Sequence, residues 1–144
     1  MSGIKVPILC LMIGEGGSGG ALALGVCDEL AMLSNSLYSV ISPRGFASIL
    51  WKDASREKDA CNMMKITAED MVRLGIAEHI IDEPIGGAHV DLCKTAENIK
   101  EYLLGVIAEK SQKSIDVLLN ERYTKFRKIG EFEIRQKEEL LDSK

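Results

Sequence analysis

Lys5–Leu33 reads KVPILCLMIGEGGSGGALALGVCDELAML, and the order of its parts decides the fold. Lys5–Ile13 is an unbroken apolar run with its one proline near the start, where a strand tolerates it. A run without polar alternation predicts a strand covered on both faces, as in parallel sheets packed by helices. Gly14–Gly20 (GEGGSGG) then places five of the chain's 13 glycines in seven residues, too many for a two-residue turn. Ala21–Cys27 reads as a short apolar helix ending near Asp28, and Glu29–Leu33 as the next strand. Strand, glycine loop, helix and strand form one unit of an α/β fold.

Working outward, Leu37–Ser42 (LYSVIS) predicts a third strand, with Pro43 and Gly45 punctuating its end. Short helical patterns follow at Phe46–Lys52, Glu57–Met64 and Thr67–Leu74; Thr67 and Asp70 resemble a capping box, and Gly75 suits the position after a helix end. Ile76–Asp82 predicts a short strand entering a turn-rich stretch at Glu83–His89. Asp91–Lys128 carries the spacing of two amphipathic helices meeting near Ser114. The chain divides into a domain at residues 1–130 and a charged tail at 131–144 with few apolar anchors.

The whole chain has 144 residues, 46% of them apolar and 28% charged, which suits a single soluble domain with a core that needs no staples. Cys10, Cys27, Cys61 and Cys93 lack the spacing of a zinc site, so no metal is expected and the thiols stay reduced in a cytoplasmic setting. A formal charge of −4 removes the basic surface of a nucleic-acid binder. The longest apolar run, Val6–Ile13, is far short of the roughly 20 residues a membrane helix needs.

Chemistry separates the readings of the glycine segment. A phosphate-binding P-loop needs lysine and a hydroxyl residue where this chain has Gly20 and Ala21. Gly14, Gly16 and Gly19 satisfy the dinucleotide pattern, but the acidic ribose ligand expected about 20 residues on falls among Ser34, Asn35 and Ser36. Gly16, Ser18 and Gly20 also match G-x-S-x-G, the elbow that exposes a nucleophilic serine; this alternative needs His79 or His89 as base and Asp53 or Asp82 as its partner. The preferred reading treats Gly19 and Gly20 as bare backbone donors opening a helix, an oxyanion hole for charge that develops in a transition state.

The strings VPILCLMIGEGGSGGALALGVCDELAML, YSVISPRGFASILWKDA and IIDEPIGGAH resemble the carboxyltransferase alpha subunit of multi-subunit acetyl-coenzyme A carboxylase, a crotonase-like family, from about Ile4 to about Tyr123. The resemblance implies a partial crotonase-like spiral of ββα units with C-terminal helices, matching the C-terminal half of such a subunit. It implies transfer of a carboxyl group from carboxybiotin to acetyl-coenzyme A, giving malonyl-coenzyme A for fatty acid biosynthesis. The implied partners are a beta subunit and a biotin carboxyl carrier protein, in a hetero-oligomer. Mapped onto this chain, Gly19 and Gly20 supply the catalytic amides, Gly16 and Gly17 shape the approach, and Val40, Ile41, Ser42 and Pro43 line the biotin pocket. Arg44 departs from the family, which carries an acidic residue there. A third class is a non-catalytic assembly fragment. His89 is expected to cap the GGAH turn, Tyr38 and Trp51 to serve as core aromatics, and the Asp91–Lys128 helices to offer apolar faces for packing or dimerisation.

Overall fold

The computed structural model describes residues 1–131, so the tail expected at 131–144 lies, beyond Glu131, outside the described residues. Among the described residues, five strands and six α-helices alternate in a repeating order. The first turn holds β1 (Leu9–Met12), β2 (Glu15–Gly17) and α1 (Ser18–Leu24). The second holds β3 (Glu29–Leu33), β4 (Leu37–Ser39), α2 (Pro43–Trp51), a 3-10 turn at Ala54–Arg56, α3 (Glu57–Met64) and α4 (Ala68–Arg73). β5 (His79–Ile81) opens a third, followed by α5 (Leu92–Lys110) and α6 (Ile115–Lys128).

Each of the first two turns adds one strand to each of two sheets, and the third adds β5 to the first of them. β1, β3 and β5 lie side by side in one parallel sheet, with Cys10 opposite Leu30 and Met32 opposite Ile80. β2 and β4 form a second parallel pair, with Gly16 opposite Tyr38. This is the spiral of ββα units, and it corrects the reading of Gly14–Gly20 as a loop. Glu15–Gly17 is itself a strand, held by backbone pairing that asks nothing of its side chains.

The central strand β3 carries the core. Leu30 and Met32 face a cluster with Met12, Ala21, Cys27, Ala68, Met71 and Ala77, while Ala31 and Leu33 face another with Ile81, joined by Ala88, Ile99 and Tyr102. Alternate residues of one strand thus bury on opposite sides, the two-sided cover expected of the parallel sheet. β1 shares it, Cys10 packing on the first cluster and Leu11 on the second, but the strand is shorter than Lys5–Ile13. Val6 and Ile13 at its flanks are 59% and 70% exposed.

Two helix starts differ from expectation. α2 begins at Pro43 rather than Phe46, because a proline in the first position needs no N–H and Ser42 caps the helix by accepting from Gly45 N at 3.1 Å. β4 accordingly stops at Ser39. α1 begins at Ser18 rather than Ala21, so Gly19 and Gly20 lie inside its first turn. The other caps fall where the sequence places them: Thr67 accepts from Asp70 N, Ser114 from Val117 N, and Gly75 has a left-handed φ of 68°.

Three acid–base pairs draw the C-terminal helices onto β3 and β5. Lys110 of α5 meets Glu29 at 3.0 Å, Lys125 of α6 meets Glu78 at 2.8 Å, and Arg122 of α6 meets Asp28 at 2.7 Å. Arg122 is 2% exposed. Its guanidinium donates to both Asp28 oxygens and to the carbonyls of Met1, Ser2, Ile4 and Val6. Asp28 Oδ2 in turn accepts from Ile8 N at 2.7 Å. One side chain therefore fastens the N-terminal segment, the entry to β1 and the entry to β3.

Candidate functional site

β2 runs without a loop into α1, and the junction concentrates the glycines. Gly17 is the residue before the helix, with φ −126° and ψ 158°, and offers no side chain to satisfy the first-turn amides. No acidic residue lies in that turn. A Cβ at Gly19 or Gly20 would meet nothing within 4 Å, and both residues are exposed. Their N–H groups belong to the set that a helix cannot pair internally.

Gly16 differs: a Cβ there would overlap the Met12 sulfur, so its bareness serves packing of β2 over the core. We expect Gly16→Ala to cost about 1–3 kcal/mol through displacement of Met12. Gly19→Ala should instead leave stability unchanged or raise it by up to about 1 kcal/mol, as alanine does for glycine in a helix. Chemical unfolding of the two variants checks the contrast, and equal destabilisation by both would contradict it.

Ser18 has φ 61°, a left-handed conformation that non-glycine residues adopt at some cost in energy. A strained serine between strand and helix matches the backbone of a nucleophile elbow. Its required partners are engaged elsewhere. His79 is stacked on Tyr102 at 4.3 Å between ring centroids, on β5 of the other sheet. His89 lies beside Gly87 and the Glu83 carboxylate. Asp53 accepts from Ser55 N and Oγ at the 3-10 turn, which hold its carboxyl below the usual range. Asp82 is exposed just after the C-terminal end of β5, where its carbonyl accepts from Asn98.

A cavity of about 550 Å³ lies beside α1, and it is mainly apolar. Val40 and Ile41 line it, with Leu22 from α1, Phe46 from α2, and Phe126 and Ile129 from the C-terminal end of the described chain. Ser42 and Pro43 start α2 instead and are not among its lining residues. Tyr38 both packs on the core and lines the cavity; burial, and then the nearby Cys10 and Cys27, push its hydroxyl pKa up. Its oxygen would lie 2.8 Å from a Cβ on Gly25, which closes the helix against it. Trp51 meets Phe46 edge-on at 5.9 Å and carries the Arg56 guanidinium on its face at 4.1 Å.

Phe126 and Ile129 were not legible as cavity residues. Phe126 looks like one more apolar position of an amphipathic helix, and only the anchoring of α6 to Asp28 and Glu78 brings it to the cavity it shares with Leu22. The GGAH turn also differs from expectation. Glu83, not His89, satisfies it, accepting from Ala88 N at 2.7 Å and from Asn35 N at 2.9 Å; His89 is exposed. Burial works against the Glu83 charge, but these hydrogen bonds prevail and keep its carboxyl below the ordinary value. Arg44 occupies the second position of α2, exposed, where the helix dipole favours an acid.

Comparison with known proteins adds the family. Residues 1–130 match the family described as acetyl co-enzyme A carboxylase carboxyltransferase-like. The chain is 56% identical over 127 residues to the acetyl-coenzyme A carboxylase carboxyl transferase subunit alpha of Clostridium perfringens strain SM101, covering 88% of this chain and 47% of the relative. It is 55% identical over 130 residues to the subunit of the same name from Shouchella clausii, covering 90% of this chain and 40% of the relative. The chain thus spans about half the length of the relatives it matches, or less. Among solved structures, a chain of a Pseudomonas malonate decarboxylase hetero-tetramer in complex with coenzyme A shares the fold, with a TM-score of 0.59 at 20% identity over 81% of this chain and 45% of that one. With the ββα spiral, the glycine-built junction and the match along nearly all of its described length, the chain belongs to the acetyl co-enzyme A carboxylase carboxyltransferase-like family.

Proposed function

We propose that this chain supplies the carboxybiotin side of a cytoplasmic carboxyltransferase that converts acetyl-coenzyme A to malonyl-coenzyme A for fatty acid synthesis. The observation that carries the reading is the opening of α1, where Gly19 and Gly20 present amides with neither a capping side chain nor a Cβ over them. Their surroundings fit a small bicyclic ligand: free space at the Cβ positions of both glycines, and an apolar cavity lined by Val40 and Ile41 that reaches the same helix at Leu22 and Gly25. Biotin, carried on a separate protein, supplies the carboxyl group. The Gly19 and Gly20 N–H groups donate to the ureido oxygen and stabilise negative charge there, each such donor contributing about 3 kcal/mol when aimed at charge that appears in the transition state. Gly16 keeps β2 close to Met12 and so fixes where the amides begin. Val40 and Ile41 exclude water from one side of the ligand. The thioester side belongs to a beta subunit, and the working unit is a hetero-oligomer of this chain, that subunit and the biotin carrier.

The test is decarboxylation of malonyl-coenzyme A in the presence of free biotin, with and without a beta subunit. Turnover that requires both chains supports the reading. Binding of the beta subunit with no turnover would make the chain an assembly element instead. Ser18→Ala should retain carboxyl transfer within about twofold, since the hydroxyl takes no part and only the backbone amides act. Loss of transfer in that variant, together with Ser18-dependent labelling by a fluorophosphonate, would favour the hydrolase alternative.

A further inference from the structure

The apolar cavity beside α1 has walls that the described residues leave uncovered. Leu22, Val40 and Met63, which line it, are 54%, 64% and 57% exposed. Covering such surface is favourable, because apolar area leaves water. Met63, Met64 and Met71 give the walls three methionines, and a thioether side chain adapts its shape to an aromatic ring and contacts it favourably.

The chain turns back at the point where it reaches this cavity. Ile129, one of the lining residues, follows α6 with φ −66° and ψ 127°; Gly130 has a left-handed φ of 85°, and Glu131 N donates to Lys128 O at 3.3 Å. These are the angles and the hydrogen bond of a type II turn, which wants glycine in its third position and reverses the chain. The sequence at 131–134 reads EFEI, acid and apolar in alternation, so that in an extended course Phe132 and Ile134 share one face and Glu131 and Glu133 the other. Phe132 is three residues from Ile129, which keeps its Cα within about 11 Å of a residue on the cavity wall. Exposed Lys65, between the lining residues Met64 and Ile66, places a positive charge beside the cavity to meet the two acids.

We propose that the chain is its own occupant here: residues 131–134 fold back onto the cavity and seat Phe132 and Ile134 against Met63, Met64 and Phe126, with Glu131 and Glu133 turned to solvent and Lys65. Val40 and Ile41 line the same cavity, so the segment sets how much of it is left beside them, whichever ligand they meet.

NMR of the full chain with isotope-labelled methionine methyls tests the seating. Met32, buried on β3 and not among the lining residues, is the control for an intact fold. The Met63 and Met64 methyls should show nuclear Overhauser contacts to an aromatic ring, and in Phe132→Ala those contacts should be lost and both signals should shift while Met32 stays in place. The loss on substitution assigns the ring to Phe132 rather than to Phe126. Anilinonaphthalene sulfonate, an apolar dye, should bind the double variant Phe132→Ala with Ile134→Ala severalfold more tightly than the unsubstituted chain. Identical methyl signals in the full chain and Phe132→Ala, or equal dye binding, would overturn the proposal. Signals that move to the Phe132→Ala positions on dilution would also overturn it, since the segment would then come from a second copy.

Discussion

Arg122→Ala is expected to destabilise the protein by about 3–5 kcal/mol, the range for removing one partner of a buried ion pair. The variant leaves Asp28, 8% exposed, with a charge and no cation beside it, and it frees four carbonyls at Met1, Ser2, Ile4 and Val6. A domain of this kind has roughly 5–15 kcal/mol in total, so a large fraction of its stability depends on this one side chain. Arg122→Lys should rescue little, because an ammonium cannot place donors on both Asp28 oxygens and on the carbonyls at once. Denaturant unfolding measures the loss. The double variant Arg122→Met with Asp28→Asn should recover part of it, since no unpaired charge is then left inside. A loss below about 1 kcal/mol in Arg122→Ala would mean that the clamp does not hold the N-terminal segment.

The second large effect falls on chemistry. Gly19→Val or Gly20→Val is expected to reduce carboxyl transfer by the assembled enzyme about a hundredfold or more, the magnitude seen when an oxyanion donor is lost. A branched side chain meets no protein atom within 4 Å of its first carbon, so the fold tolerates it, and its bulk covers the space over the amides. Circular dichroism and binding of the beta subunit should be unchanged while turnover falls. Full turnover in both variants would separate these amides from catalysis. The pairing of preserved fold with lost chemistry distinguishes them from Gly16, where a side chain disturbs Met12 first.

The strands and helices with dense apolar patterns were legible because burial is written into them. β3 reads as a buried strand, and its residues alternate between two core clusters; α5 and α6 read as amphipathic helices and meet at the Ser114 cap. β2 was not legible, since glycine has low strand propensity and this strand is held through its backbone alone. α2 was read late because Pro43 serves as a first-turn residue as readily as it ends a strand. Arg122 had no visible sign: within NERYTKFRK it looks like one cation of a solvated face, and only the approach of α6 to Asp28 buries it. At the candidate site, the order of strand, glycines and helix led to Gly19 and Gly20, which lie in the first turn of α1, whereas Ser42 and Pro43 were drawn in by nearness in sequence to Val40 and Ile41. Residues adjacent along the chain part company there, two lining the cavity and two starting a helix.

The most direct measurement is a crystal structure of this chain assembled with a beta subunit and soaked with biotin. The account predicts the Gly19 and Gly20 nitrogens at about 2.7–3.1 Å from the ureido oxygen, with the ring against Val40 and Ile41. Amides of Gly19 and Gly20 bonded to neighbouring carbonyls, with the ureido oxygen held by another part of the complex, would contradict it.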